Sequence, residues 1–306
     1  MPHIDPELAQ FVEAFPVVRV SAPGVDVVQV REDLNRRWQR MQPVVQVGEV
    51  TDMTAPAPVR VYKPVRGAAG LPVVVFLHGG GWCTGSLVTH DDLCRRICRS
   101  AQAVVVSVDY RLAPEHPFPA AVDDAWAVLQ WVGEHAAEIG GDPARIAVAG
   151  DSAGGNLAAV LALRARDEGG PSLLFQLLLY PATGGVGEFP SRVENSDAPV
   201  LSTADLNTFL RHYAGHLGDS RPVDLEPALA SDLSGLPPAF IATAWHDPLR
   251  DEGEAYGRRL ADAGVPVEVV RFDHLVHSFA SYAPLIPAAS KAVEQCLAAL
   301  RKGLLS

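Results

Sequence analysis

The stretch Ile146–Leu163 reads IAVAGDSAGGNLAAVLAL, and its interpretation decides the fold. Ile146–Ala149 are small or β-branched and apolar on consecutive positions, as in a strand buried on both faces. From Gly154 to Glu168 the pattern is that of a helix. Between them Gly150-Asp151-Ser152-Ala153-Gly154 must turn the chain sharply. Glycines two positions either side of Ser152 let strand and helix approach closely, and the turn lifts one hydroxyl above the sheet in a strained conformation. A plain helix N-cap by Ser152 or Asp151 is the bland alternative. A G-x-S-x-G flanked by strand and helix is, however, the context in which this motif presents a nucleophile. The run is the most apolar long one in the chain, but Asp151 and Asn156 interrupt it, which argues against membrane insertion.

Outward from this turn, the chain alternates β-branched runs with amphipathic ones from about residue 71. The strand candidates are Val73–Leu77, Val104–Asp109, Ile146–Ala149, Leu174–Leu179, Phe240–Ala244 and Val267–Phe272. The helix candidates are Asp91–Ser100, Ala120–His135, Gly154–Glu168, Glu252–Ala263 and Pro287–Leu300. Such alternation implies an α/β fold, a mostly parallel sheet flanked by helices. Val45–Val50 and Val59–Lys63 read as two further strands, antiparallel at one edge. Two segments stand outside the alternation. Residues 1–43 carry Phe11, Phe15, Trp38 and Met41 among charges, and residues 183–230 contain Gly184, Gly185 and Gly187 and then a helical stretch from Thr203 to Tyr213. Both are expected to form a small helical cap over the carboxyl ends of the strands, on a catalytic domain spanning 44–306.

Composition narrows the function classes. A chain of 306 residues with 48% hydrophobic and 20% charged residues buries a sizeable core and is not disordered. Its net charge of -11, with the basic residues scattered, argues against a nucleic-acid partner. Cys83, Cys94, Cys98 and Cys296 show no zinc or disulfide-framework spacing and read as reduced thiols. Asp5 and Glu7 stand where a signal peptide would be basic and then apolar, so a cytoplasmic location is expected.

A second motif, His78-Gly79-Gly80-Gly81, follows the strand Val73–Leu77. Consecutive glycines let backbone N–H groups face a substrate oxygen, the arrangement that stabilises a tetrahedral anion. Together with the turn at Ser152 it resembles the hormone-sensitive-lipase-like esterases, bacterial family IV of the α/β-hydrolase fold. The resemblance rests on HGGGW at 78–82, VDYRLAPEHPFPAA at 108–121, GDSAGGN at 150–156, DLSGLPPA at 232–239 and DPLRDEG at 247–253. It implies an eight-stranded sheet, a cap built from the N-terminus and a later insertion, and no cofactor or metal. It further implies hydrolysis of small carboxylic esters and an oxyanion hole of the Gly80, Gly81 and Ala153 amides; Trp82 directly after these glycines, with the bulky apolar residues of the cap segments, adds an expectation of short to medium acyl chains. A homodimer is left open.

In this fold the order is nucleophile, acid, base. Asp247, at the end of the strand Phe240–Ala244, matches the acid of the family's DPL segment; Asp251, the competing carboxylate, would lie on the helix leading away. Two histidines offer themselves as base in DHLVHSF at 273–279. Alignment on Phe279 selects His277, which leaves His274 and Ser278 where the family usually has glycine. The pair also has a metal reading, but no third ligand lies nearby. His212 and His216 lack the glutamate of a zinc helix. Arg111 and Glu115 are expected to tie a loop beneath the site, and Asp151 to steady the elbow. The motifs do not choose between an ester and an amide, lactone or acetylated sugar or drug. Receptors of this fold have lost the histidine that His277 retains.

Overall fold

The computed structural model describes residues 2–39 and 45–305; Met41 and the boundary expected at 43/44 lie outside the described residues. In chain order the elements are α1 (Pro6–Ala14), α2 (Val27–Gln39), β1 (Glu49–Thr54), β2 (Pro58–Lys63), β3 (Leu71–Leu77), α3 (Asp91–Ala101), β4 (Val104–Val108), α4 (Ala120–His135), β5 (Gly141–Asp151) and α5 (Ala153–Asp167). There follow β6 (Leu173–Leu179), α6 (Pro190–Glu194), α7 (Thr203–Ala214), β7 (Ala239–His246), α8 (Arg250–Asp262), β8 (Val267–Val276) and α9 (Pro287–Gly303). Eight strands form one sheet in the order β1-β2-β4-β3-β5-β6-β7-β8, antiparallel at the β1-β2-β4 end and parallel from β4 onward.

The central strand β3 is apolar at every position because both faces of the sheet are covered. On β3, Val73, Val75 and Leu77 join one core with Val128 and Leu129 of α4, Leu161 of α5 and Leu260 of α8. Val74 and Phe76 face the opposite core with Ile97 of α3 and Leu297 of α9. Two expectations need correction. Pairing of the first strand begins at Glu49, not Val45, because the Gly48 N–H is taken by Lys63 and Pro64 carbonyls and a Cβ there would overlap the Val65 backbone. The last strand is not buried on both faces: Val267–Val276 closes the sheet as an edge, its first eight residues half-buried or exposed. It also runs four residues beyond Phe272, delivering His277 directly at its end.

The two segments outside the alternation meet each other above the sheet. Asp205, on the first turn of α7, accepts from Ser202 in a capping box and also from Ser21 N, Ser21 Oγ and Arg19 Nη1 at 2.8–3.0 Å. Arg19 Nη2 donates to Ala198 O at 2.8 Å. At the N-terminus, Asp5 N donates to His274 O at 2.8 Å, and Leu8 and Val12 of α1 join the α3/α9 core. The residues before α2 are thus held at one end by β8 and at the other by α7.

Candidate active site

Ser152 stands between β5 and α5 with φ 55° and ψ −117°, a backbone strain that persists only where its surroundings over-determine it. Ser152 N donates to Leu179 O at 2.8 Å, and Ser152 O accepts from Asn156 N at 3.0 Å and Ala182 N at 3.2 Å. The flanking glycines are needed for space. A Cβ on Gly150 would overlap the Gly154 carbonyl, and one on Gly154 the carbonyls of Leu77 and His78. Asn156 completes the turn from within α5, donating to Ala182 O at 2.7 Å and Leu225 O at 2.9 Å.

His277 Nε2 lies 2.9 Å from Ser152 Oγ, and His277 Nδ1 lies 2.7 Å from Asp247 Oδ2. All three side chains are buried. Leu249 N donates to Asp247 Oδ1 at 2.8 Å, so the carboxylate is fixed at both oxygens. Tyr180 packs edge-on against the imidazole at 5.0 Å between centroids and holds the ring plane. The competing residues are engaged elsewhere. Asp251 accepts from Ser191 N at 2.7 Å and from Arg250 Nε at 2.7 Å. His274 is exposed on β8, with Nδ1 at 2.9 Å from His3 O.

Gly80, Gly81 and Ala153 line the same cavity as Ser152 and His277. The direction of their amides follows from peptide planarity, since the N–H of a trans peptide points opposite to its own carbonyl. The Gly79 carbonyl is bound by His78 Nδ1 at 2.9 Å, which turns the Gly80 N–H the other way. The Gly80 carbonyl accepts from Thr84 N at 2.8 Å, Thr84 Oγ1 at 3.0 Å and Cys83 N at 3.1 Å, which turns the Gly81 N–H. Ser152 O, already doubly engaged, does the same for Ala153 N–H. Gly80 and Gly81 take φ of 121° and 60° to make this turn, values open to glycine. His78 is fully buried, stacked on Tyr110 at 4.3 Å, and burial pushes its pKa down to about 3, so it binds as a neutral ring.

The cavity at Ser152, about 140 Å³, is closed by Trp82, Leu201, Leu206, Phe209 and Leu249. Trp82 is held by a stack on Tyr213 of α7, 4.6 Å between centroids and 4° between planes. A second cavity of about 240 Å³ shares Val17, Gly80, Val200 and Ser278 with the first and opens toward Phe11, Phe15, Trp38, Tyr282 and Leu285. The arrangement can transfer a proton from Ser152 to His277, orient the imidazole through Asp247, and hold an oxyanion on three amides.

Of the other residues singled out from sequence, Arg111 pairs with Asp124 of α4 at 2.8 Å, and Glu115 with Arg31 of α2 at 2.8 Å. Arg31 also donates to the Cys83 and Ala113 carbonyls at 2.7 and 2.8 Å, so this ion pair ties the 111–115 loop and the segment after Trp82 to α2. The four cysteines are buried free thiols. Among the described residues no three or more metal-ligating side chains cluster, and no helix is long and apolar enough to cross a membrane. Asn156, Phe209 and Asp205 were not identified from sequence. Asn156 stood in the quoted GDSAGGN, whereas the other two act through contacts more than a hundred residues away.

Comparison with known proteins agrees with this geometry. A family model described as the alpha/beta hydrolase fold matches residues 74–281. The carboxylesterase NlhH of Mycobacterium tuberculosis is 50% identical over 309 residues, covering 99% of this chain and 97% of that protein. The esterase LipI of the same species is 48% identical, covering 98% and 95%. The solved structure of a hyperthermophilic esterase from the archaeon Pyrobaculum calidifontis matches with a TM-score of 0.90 at 41% identity, covering 99% of both chains. The chain belongs to the hormone-sensitive-lipase-like, family IV carboxylesterases of the α/β-hydrolase fold.

Proposed function

We propose that the protein hydrolyses small carboxylic esters of short acyl chain by two-step acyl transfer, with Ser152 as nucleophile, His277 as general base and Asp247 as its orienting acid. The observation that carries this reading is the pair of hydrogen bonds on one imidazole, 2.9 Å to Ser152 Oγ and 2.7 Å to Asp247 Oδ2. As Ser152 Oγ attacks the ester carbon, its proton passes to His277 Nε2 and Asp247 stabilises the imidazolium. The carbonyl oxygen becomes an oxyanion on the amides of Gly80, Gly81 and Ala153, where one donor is typically worth about 3–4 kcal/mol. Collapse expels the alcohol with the proton from His277 and leaves an acyl-Ser152 ester. Water, deprotonated by the same imidazole, attacks this ester and releases the acid.

The cavity of about 140 Å³ behind Ser152 supports a short acyl chain, since Phe209, Leu206 and Leu249 close it. The larger cavity beneath Phe11, Phe15 and Trp38 then receives the alcohol. In this reading residues 1–43 and 183–230 act as the cap, joined through Asp205. The four buried free thiols support a reducing, cytoplasmic setting, and the open edge of β8 supports pairing with a second copy. The test is a series of 4-nitrophenyl esters. Acetyl to hexanoyl esters should show the highest kcat/KM, and a dodecanoyl ester exceeding the butanoyl ester would contradict the assignment of the short acyl pocket.

A further inference from the structure

The mechanism leaves a second buried carboxylate–imidazole pair unused. Asp151, next to the nucleophile in sequence, is 2% exposed, and its Oδ1 accepts Gly79 N–H at 2.8 Å. The same oxygen lies 3.1 Å from His90 Nε2. His90, at the start of α3, is 9% exposed, and its Nδ1 lies 2.8 Å from Thr89 Oγ1. Thr89 Oγ1 in turn accepts Ser86 N–H at 2.9 Å, so the ring is gripped on both sides. The approach is close by construction, because a Cβ on Gly79 would overlap Asp151 Oδ2. Burial alone would raise the Asp151 carboxyl, but the His90 ring and the Gly79 amide outweigh it and hold it below the usual carboxylate range.

A buried carboxylate here has two consequences. Through Gly79 it fixes the residue directly before the two glycines that line the cavity at Ser152. It also places negative charge next to a loop on which an oxyanion must develop, and in a low-dielectric site such repulsion is costly. His90 donates to the same carboxylate oxygen that accepts the Gly79 amide, sharing the charge that would otherwise fall on the loop. His78, the next ring at 5.5 Å, is neutral and cannot do this. We propose that His90 is a positioning residue of the oxyanion hole, holding Asp151 on Gly79 and offsetting the carboxylate's charge as the tetrahedral anion forms. The proposal rests on ester hydrolysis at Ser152.

The experiment compares wild type, His90→Ala, the double variant His90→Ala/Asp151→Asn, and Ser152→Ala on 4-nitrophenyl butanoate, with circular dichroism confirming the fold. His90→Ala should lower kcat about 30-fold with KM within about threefold, less than the 10²–10³ lost with an oxyanion donor outright. Affinity for a trifluoromethyl ketone, whose hemiketal anion needs the same amides, should weaken by a similar factor. Asp151→Asn in the His90→Ala background keeps an oxygen for Gly79 and removes the charge, and should recover at least about fivefold in kcat. Should His90→Ala not fold, His90→Gln replaces it, with a smaller fall in kcat and the same rescue. A kcat within twofold of wild type, or a double variant no faster than the single one, overturns the proposal. Ser152→Ala separates the two levels: if it still turns over ester, the hydrolytic reading itself fails; if it is inert while His90→Ala is normal, only the role of His90 fails.

Discussion

Ser278 adopts φ 58°, a left-handed conformation that glycine takes freely and that costs other residues about 1 kcal/mol. That is why the family favours glycine just after its histidine, and why a serine can stand there at modest cost. His274 needs no such conformation, since it lies within β8, exposed, and bonds to His3 O. The two departures that clouded the choice of base therefore have separate, local explanations. We expect His277→Ala to lose kcat/KM on 4-nitrophenyl butanoate nearly as far as Ser152→Ala, because the two act as a unit. His274→Gly should stay within about fivefold of wild type; the reverse pattern would make His274 the base. Ser152, Asp247 and His277 could be proposed from sequence because each is marked locally, by a strand end and a short motif, and the structure brings their side chains within hydrogen-bond distance of one another. His90 and Asn156 were not singled out, because their partners are Asp151, Ala182 and Leu225, and no local pattern announces those contacts.

Among the elements, the parallel strands were readable because burial on both faces leaves continuous apolar runs, as in β3. β8 ran past its apolar stretch because an edge strand needs cover on fewer sides. Ladder pairing with β7 carries it to His246↔Val276, through Asp273 and His274 that no hydrophobic pattern marks. The helix α7 was visible as periodicity, but not its use. Phe209 lines the cavity at Ser152, proposed to take the acyl chain, and packs on Gly81, where a Cβ would overlap its ring. Phe209→Ala should therefore lengthen that cavity. The ratio of kcat/KM for octanoyl over butanoyl ester is expected to rise about tenfold, the worth of about one additional methylene accommodated at roughly 1–3 kcal/mol each. An unchanged ratio would show that the acyl chain lies elsewhere.

For the molecule as a whole, the site is tied to global stability through the buried imidazole under the oxyanion loop. Burial lowers the His78 pKa from 6.5 to about 3, so below about 6.5 the unfolded chain takes up a proton that the folded protein refuses. Stability contributed by this group is complete above pH 6.5 and is lost as pH falls toward 3, by up to about 1.4 kcal/mol per pH unit. His78→Gln, which keeps a donor for Gly79 O, should flatten the pH dependence of the urea-unfolding free energy between pH 6 and 5 by about that slope; an unchanged slope would contradict the neutral ring. The proposed turnover of esters by this molecule runs through an acyl-Ser152 intermediate. The most direct measurement is the kcat of Ser152→Ala on 4-nitrophenyl butanoate, with circular dichroism and mass spectrometry for the trapped acyl group in wild type. A loss on the order of 10⁶ with the fold intact is expected, together with a single acyl adduct on Ser152 in wild type. Turnover by Ser152→Ala within tenfold of wild type would contradict this mechanism.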